Sequence, residues 1–83
     1  MFGKKDKLGE YILEQRIKGI AAIREAINEQ ETKAECMYSY GVIDALCAAG
    51  VITLNERADF KSKATAKENE RAKAQREEWN KEK

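Results

Sequence analysis

Residues 46–56, LCAAGVITLNE, decide the fold. Many helices end just before a glycine in the left-handed conformation. Gly50 therefore predicts the end of the preceding helix. Thr53, with Glu56 three residues later, forms a capping box that starts a new helix. The stretch therefore predicts two helices joined by a short turn. The apolar residues that flank the cap, and that we expect to pin the turn onto the core, are Ile52 and Leu54.

The helix before this turn is predicted over residues 33–49 and begins with a second capping box, formed by Thr32 and Glu35. After its first turn, the only plainly polar side chains of this helix are Ser39 and Asp44. A helix that is apolar nearly all round is a buried one, so two flanking helices must cover it. For Asp44 we favour exposure to solvent over burial beside a tyrosine or a lysine.

The helix that precedes it is predicted over residues 6–30, from apolar residues spaced three and four apart. The members of this stripe are Leu13, Ile17, Ile20, Ile23 and Ile27. Gly19 stands in the middle of the helix, where glycine costs about 1 kcal/mol relative to alanine. It is either a site of close approach by another backbone or merely tolerated.

The third helix begins at Leu54, and beyond residue 64 charged and amide side chains dominate it. Because no continuous apolar stripe remains there, we predict a helical core domain over residues 1–64 and a charged helical extension over residues 65–83 that frays toward its end. The predicted packing residues of the third helix are Ala58, Phe60 and Ala64.

These patterns predict an all-α protein, either a three-helix bundle or a hairpin-based helical domain with a long charged C-terminal helix. The first helix would be about 37 Å long and the second about 24 Å, so parts of the flanking helices lack cover. A chain of 83 residues buries only a limited fraction of its surface when it folds alone. Because it has no disulfide or metal to add stability, we expect a homodimer. The residues predicted to contact partners are Ile12, Ile23, Ile27, Tyr40, Val42 and Trp79.

Composition and charge disfavour several classes of protein. The chain has 16 Lys and Arg against 15 Asp and Glu, a net charge of +1, whereas binding to nucleic-acid phosphates calls for a strong cationic excess. It has no His, which excludes Ser-His and Cys-His catalytic sites and His-containing zinc sites. We therefore expect no catalytic residue, no cofactor and no metal ligand, and an enzyme is the least favoured class.

The cysteines and the apolar runs bear on location. Cys36 and Cys47 would lie about 16 Å apart along a helix, and a disulfide needs Cα atoms within about 7 Å. We favour two small core residues over an intermolecular thiol contact. No apolar run approaches the roughly 18 residues that span a bilayer, and no leader opens the chain. The expected location is the reducing cytoplasm, without a membrane partner.

Residues 40–60 carry a familiar pattern. The strings YGVIDAL at 40–46 and AGVIT at 49–53, followed by Glu56, resemble a phrase common in small helical proteins encoded by bacteriophages and mobile elements of Gram-positive bacteria. The pattern is also similar to the short helical-hairpin modules called SHOCT domains. This resemblance covers about a quarter of the chain and implies an interaction module, with no site assigned. The matching residues are Leu46, Gly50, Ile52, Thr53, Glu56 and the later aromatic Phe60.

For function, these observations favour a non-catalytic protein-binding module. One form is a phage or mobile-element protein that binds a host protein, of which inhibitors of CRISPR nucleases are an example. The alternative is a dimeric DNA-associated regulator in which the second helix, the turn and the third helix act as a helix-turn-helix. The near-neutral charge weighs against this alternative. The residues that would face DNA are Asn55, Arg57, Lys61 and Lys63.

Overall fold

The computed structural model describes residues 2–81, with side chains from Lys7 to Lys81. Within that range it contains three α-helices and no strand: α1 (Phe2–Asn28), α2 (Lys33–Ala48) and α3 (Leu54–Lys81). The predicted all-α fold with a long charged C-terminal helix is confirmed. α1 begins earlier and ends two residues earlier than predicted, and α3 runs without a break through residues 65–81. The last two residues of the predicted extension lie outside the described range.

Two side-chain caps begin α2 and α3 as predicted. The Thr32 hydroxyl accepts a hydrogen bond from the backbone N–H of Glu35 at 3.2 Å, and the Thr53 hydroxyl accepts one from the N–H of Glu56 at 3.1 Å. The Glu56 carboxylate accepts from the N–H of Thr53 at 2.9 Å, which completes the second capping box. In the first, the Glu35 carboxylate accepts from the N–H of Glu31, one residue earlier. Each capping threonine therefore satisfies one of the free N–H groups at the start of its helix.

α2 ends at Ala48, one residue earlier than predicted, and it ends through the predicted glycine. Gly50 has a positive φ of 78°, and the N–H of Val51 donates to the carbonyl of Leu46 at 2.9 Å, which closes a Schellman motif. Ile52 is buried beneath the turn, as expected. Leu54 is 72% exposed, so the expectation that it pins the turn onto the core is wrong. Leu54 lies six positions before the buried Phe60, so its side chain points about 120° away from the buried face of α3.

The helices lie along one axis. The structure measures 71 × 18 × 16 Å and has a radius of gyration of 17.3 Å, against about 12 Å for a compact domain of this length. α2, at about 24 Å, is longer than either short dimension, so it runs along the long axis. The α2–α3 unit is therefore an antiparallel hairpin, which differs from the steep crossing of a DNA-binding helix-turn-helix.

α2 covers only part of each neighbouring helix. At one end of the shared region Gly19 lies against Leu46 and Val51, and at the other the Gln30 amide donates to the carbonyl of Ala64 at 3.1 Å. α1 consequently extends past the α2–α3 turn, and α3 extends past the α1–α2 loop at the opposite end. The N-terminal half of α1 and the C-terminal half of α3 have no neighbouring helix in the described chain.

The core lies where all three helices overlap. Ile23 and Ile27, predicted as partner contacts, are buried in it because they lie on the half of α1 that α2 and α3 cover. A partner cannot reach them in the folded chain, and they are therefore removed from the candidate surface. The buried apolar residues are Ile23, Ile27, Cys36, Ile43, Ile52, Phe60 and Ala64.

Gly19 is a site of close approach, which resolves the alternative that the sequence left open. A Cβ atom built on Gly19 would stand 2.7 Å from Cγ1 of Val51, closer than real contacts allow. The neighbour is a side chain of the α2–α3 turn, whereas the sequence suggested a backbone. Gly41, in the middle of α2, has open space at the same position.

We predict opposite effects of alanine at these two helical glycines. Gly41→Ala should raise the free energy of unfolding by about 0.5 to 1 kcal/mol, because only helix propensity changes. Gly19→Ala gains the same propensity but forces Val51 to move, so a net loss of about 1 kcal/mol is expected. Urea unfolding followed by circular dichroism measures both. A Gly19→Ala protein as stable as Gly41→Ala would contradict the observed packing.

Candidate interaction surfaces

The part of α1 that α2 does not cover exposes large apolar side chains on several sides of the helix. Ile12 lies eleven residues before the buried Ile23, about three helical turns, so it continues the same face of α1 beyond the end of the bundle. Among the described side chains of residues 7–17, each large apolar one is between 56% and 60% exposed. We call this set the α1 surface; it consists of Leu8, Tyr11, Ile12, Leu13 and Ile17.

A groove forms where the α1 surface meets the α2–α3 turn. Its volume is about 470 Å³. One wall comes from α1, and the other comes from the residues that end α2 and enter the turn. The groove is apolar along most of its length, with one guanidinium and one amide at its edge. Its lining consists of Tyr11, Ile12, Gln15, Arg16, Ala49, Gly50 and Val51.

An ion pair fixes the geometry of this corner. The Arg16 guanidinium donates two hydrogen bonds to the Glu56 carboxylate, at 2.8 and 2.6 Å, and a longer one to the carbonyl of Val51 at 3.4 Å. The same carboxylate caps α3 through the N–H of Thr53. The bonds from Arg16, followed by the bond from Thr53, lower the pKa of Glu56 to about 2. Arg16 and Glu56 thereby hold α1 against the beginning of α3.

The outward face of α2 is a second apolar surface. Met37 and Tyr38 are 59% and 67% exposed, and small residues occupy the positions beside them along the helix. Ser39 is buried, and its hydroxyl donates to the carbonyl of Glu35. We call this set the α2 surface; it consists of Ala34, Met37, Tyr38, Gly41, Ala45 and Ala48.

Asp44 is exposed, as favoured from the sequence, and its partners lie on α3. Its carboxylate lies 2.7 Å from the guanidinium of Arg57 and 2.7 Å from the ammonium of Lys61. The hydrogen bonds from Lys61 and then Arg57 lower the pKa of Asp44. Lys63 in turn pairs with Asp59 at 3.1 Å. Three of the four residues that would face DNA are therefore engaged by carboxylates of the same chain.

The other predicted contact residues are distributed over separate parts of the molecule. Ile12 belongs to the α1 surface. Tyr40 and Val42 are half-buried and pack against the core, and the Tyr40 hydroxyl forms a hydrogen bond with Thr65. Trp79 is 62% exposed on the far half of α3, beside a shallow depression. The predicted residues consequently do not form one site.

Of the α1 surface, only Ile12 was predicted from the sequence as a contact residue. Neither Met37 nor Tyr38 of the α2 surface was predicted. One signal could have found the rest of the α1 surface. A four-residue connection, 29–32, holds the end of α1 next to the beginning of α2. A 24 Å helix that runs back from there cannot reach the first half of α1, so apolar residues in that half must be exposed. Leu13 and Ile17 have the same three- and four-residue spacing as the buried residues of α1. Spacing alone therefore cannot distinguish these exposed residues from the buried ones.

Chemical groups for catalysis or metal binding are sparse. The side chains of residues 7–81 include no group of three or more His, Cys, Asp or Glu residues that could hold a metal ion. Cys36 is buried and Cys47 half-buried, and both are free thiols. Within residues 2–81, no helix combines the length and apolarity needed to cross a membrane.

No family model, curated protein or solved structure matches this chain. The similarity of residues 40–60 to SHOCT domains and to small phage proteins therefore stays a prediction from the sequence.

We predict that Glu56 makes the stability of the protein depend on pH. Because its pKa is about 2 when folded and 4.5 otherwise, its stabilising contribution is complete above pH 4.5 and is lost as the pH falls toward 2. Glu56→Gln should lower the urea midpoint at pH 7 and reduce the fall of that midpoint between pH 7 and pH 2.5.

Glu70→Gln, at an exposed carboxylate of α3, is the matched control and should leave both quantities close to those of the wild type. An equal fall of the midpoint in the wild type and in Glu56→Gln would contradict the role assigned to the Arg16–Glu56 pair.

Proposed function

We propose that this chain is a non-catalytic protein-binding module and that its partner protein docks on the α2 surface. The supporting observation is that the outward face of α2 is exposed and carries no charge. Between residues 36 and 48 the only charged side chain is Asp44, and Arg57 and Lys61 of α3 engage it. An exposed helix normally turns charged residues to solvent, and contiguous apolar surface is typical of protein interfaces.

The shape of the α2 surface favours a helical partner. Gly41 has open space where a Cβ atom would stand, so a partner backbone can approach α2 closely at this position. Met37 and Tyr38 lie one turn earlier and supply a flexible thioether and an aromatic ring, which are enriched where proteins bind one another. A partner helix with large apolar side chains would place them over the small residues and beside these two.

The proposal includes a phage or mobile-element protein that binds and inhibits a host protein, as inhibitors of CRISPR nucleases do. Its support is the phrase at residues 40–60, the helical fold and the absence of His from the chain. The DNA-associated alternative has less support, because Arg57, Lys61 and Lys63 pair with carboxylates of the same chain.

The proposal predicts that two substitutions on α2 abolish capture of a partner. With the tagged protein as bait in a bacterial lysate, Tyr38→Ala and Gly41→Leu should each reduce recovery of a specific partner at least tenfold, since aromatic anchors at interfaces are commonly worth more than 1.4 kcal/mol. Tyr38 and Gly41 both lie outside the core, so the two variants should remain helical by circular dichroism.

Tyr11→Ala is the matched control, because Tyr11 is an equally large side chain, 59% exposed, on the α1 surface. It should retain the partner. Capture that Tyr38→Ala and Gly41→Leu leave unchanged would contradict the proposal. A shift of duplex DNA by the wild type at about 50 mM salt, lost in Arg57→Ala, would support the DNA-associated alternative.

A further inference from the structure

We propose that the helical partner of the α2 surface carries a carboxylate side chain that binds Arg57 and Lys61 at the α3 edge of that surface. The inference rests on the proposed function and names the chemistry of the partner. That partner is an amphipathic helix with apolar side chains over the α2 surface and an acidic residue on one flank. Its basis is the unequal charge on the two sides of the α2 surface.

Two cations share one carboxylate at the α3 edge. The Arg57 guanidinium donates through Nε to Oδ1 of Asp44 at 2.7 Å, and the Lys61 ammonium lies 2.7 Å from the same oxygen. In every other ion pair among the described side chains, the cation has a carboxylate to itself, as Lys63 has with Asp59. Asp44 therefore does not balance the two cations, and an acidic group of a partner would.

Both cations have surface left for a ligand, and Arg57 also has donors left. The Arg57 and Lys61 side chains are 42% and 31% exposed. Arg57 uses its Nε–H for Asp44, and its two terminal nitrogens have no hydrogen-bond partner among residues 7–81. A carboxylate can accept two parallel hydrogen bonds from one guanidinium, which is the strong form of this pair. Arg57 therefore retains the donors that a second carboxylate needs.

The two cations lie next to the small residues of the α2 surface. Asp44, which holds them, has Gly41 three residues before it and Ala48 four residues after it, and such positions are neighbours on a helix. Open space at Gly41 lets a partner backbone come close there. Because packed helices lie about 8–10 Å apart between their axes, a glutamate on the flank of a partner helix can reach the Arg57 guanidinium.

Lys61 is held in place by a second contact. Its ammonium lies 5.9 Å from the centroid of the Tyr40 ring, a cation–π distance. The Tyr40 hydroxyl is in turn hydrogen-bonded to Thr65. Asp44 and Tyr40 therefore fix the cations before a partner arrives, which lowers the cost of ordering these side chains on binding.

The opposite edge of the α2 surface, beside α1, is acidic. At 100° per residue, Asp44 lies about 100° to one side of Ala45, and Glu35 lies about 80° to the other side. The Glu35 carboxylate is exposed and accepts hydrogen bonds from the hydroxyl of Thr32 and the N–H of Glu31, neither of which carries a charge. A partner carboxylate on that side would meet a like charge, so the charges favour an acid on one flank of the partner helix and orient the helix on α2.

Selection of helical peptides tests the chemistry of the partner. The probe is a phage-displayed library of amphipathic helices of about 18 residues, with leucine and alanine on one face and Glu, Gln or Lys at the flanking positions. Clones are selected on the full-length protein, and those that still bind Tyr38→Ala are removed. Glutamate should then be at least tenfold more frequent than lysine on one flank. No enrichment of glutamate, or an enrichment of lysine, would overturn the inference.

Substitutions around the two cations locate the bound carboxylate, with peptide affinity measured by fluorescence anisotropy. A selected glutamate peptide should bind Arg57→Gln at least tenfold more weakly than the wild type. Asp44→Asn removes the competing carboxylate and should bind the same peptide at least threefold more tightly, whereas a merely structural role of Asp44 would give weaker binding. Lys63→Gln, at a cation of α3 paired with Asp59, is the matched control and should bind within twofold of the wild type. Equal affinity of Arg57→Gln and the wild type would overturn the inference.

Failure of this inference and failure of the proposed function give different results. Peptides that lose binding in Tyr38→Ala and Gly41→Leu but show no preference for glutamate overturn the acidic partner and leave the α2 surface as the docking site. Peptides that all bind both variants as tightly as the wild type contradict the proposed function itself. Because Arg57 and Asp44 are partly exposed, their variants should keep the helix content of the wild type by circular dichroism.

Discussion

α2 is too short to cover the helices on either side of it, and the rest of the structure depends on that difference in length. Its 16 residues extend about 24 Å, whereas α1 and α3 have 27 and 28 residues. Because the chain reverses direction at both connections, the two uncovered halves lie at opposite ends of a 71 Å molecule. The uncovered part of α1 exposes large apolar side chains, whereas the uncovered half of α3 is charged.

The turn between α2 and α3 fixes the position of these two helices against α1. Gly50 ends one helix, Thr53 and Glu56 begin the next, and Arg16 joins the same carboxylate from α1. The fit of Val51 against Gly19 sets how closely the turn approaches α1. These contacts determine where the covered part of α1 stops. The groove and the α1 surface begin at that position.

Much of the fold could be predicted from local signals. The glycine stop and the two threonine caps involve residues within a few positions of one another, and each lies where it is predicted. Only the second cap is a complete capping box, because the Glu35 carboxylate accepts from the N–H of Glu31 and not from that of Thr32. The candidate surfaces were harder to predict, because Leu13 and Ile17 share their spacing with Ile23. Only the direction and length of α2 separate the exposed residues from the buried ones. The Arg16–Glu56 pair joins residues forty positions apart and has no local signal.

The most direct measurement of the central claim is amide hydrogen exchange along α1. Because no helix of the described chain covers residues 8–14, their amides should exchange rapidly. Amides of residues 20–27, inside the bundle, should exchange slowly. Exchange of residues 8–14 as slow as that of residues 20–27 would contradict the account.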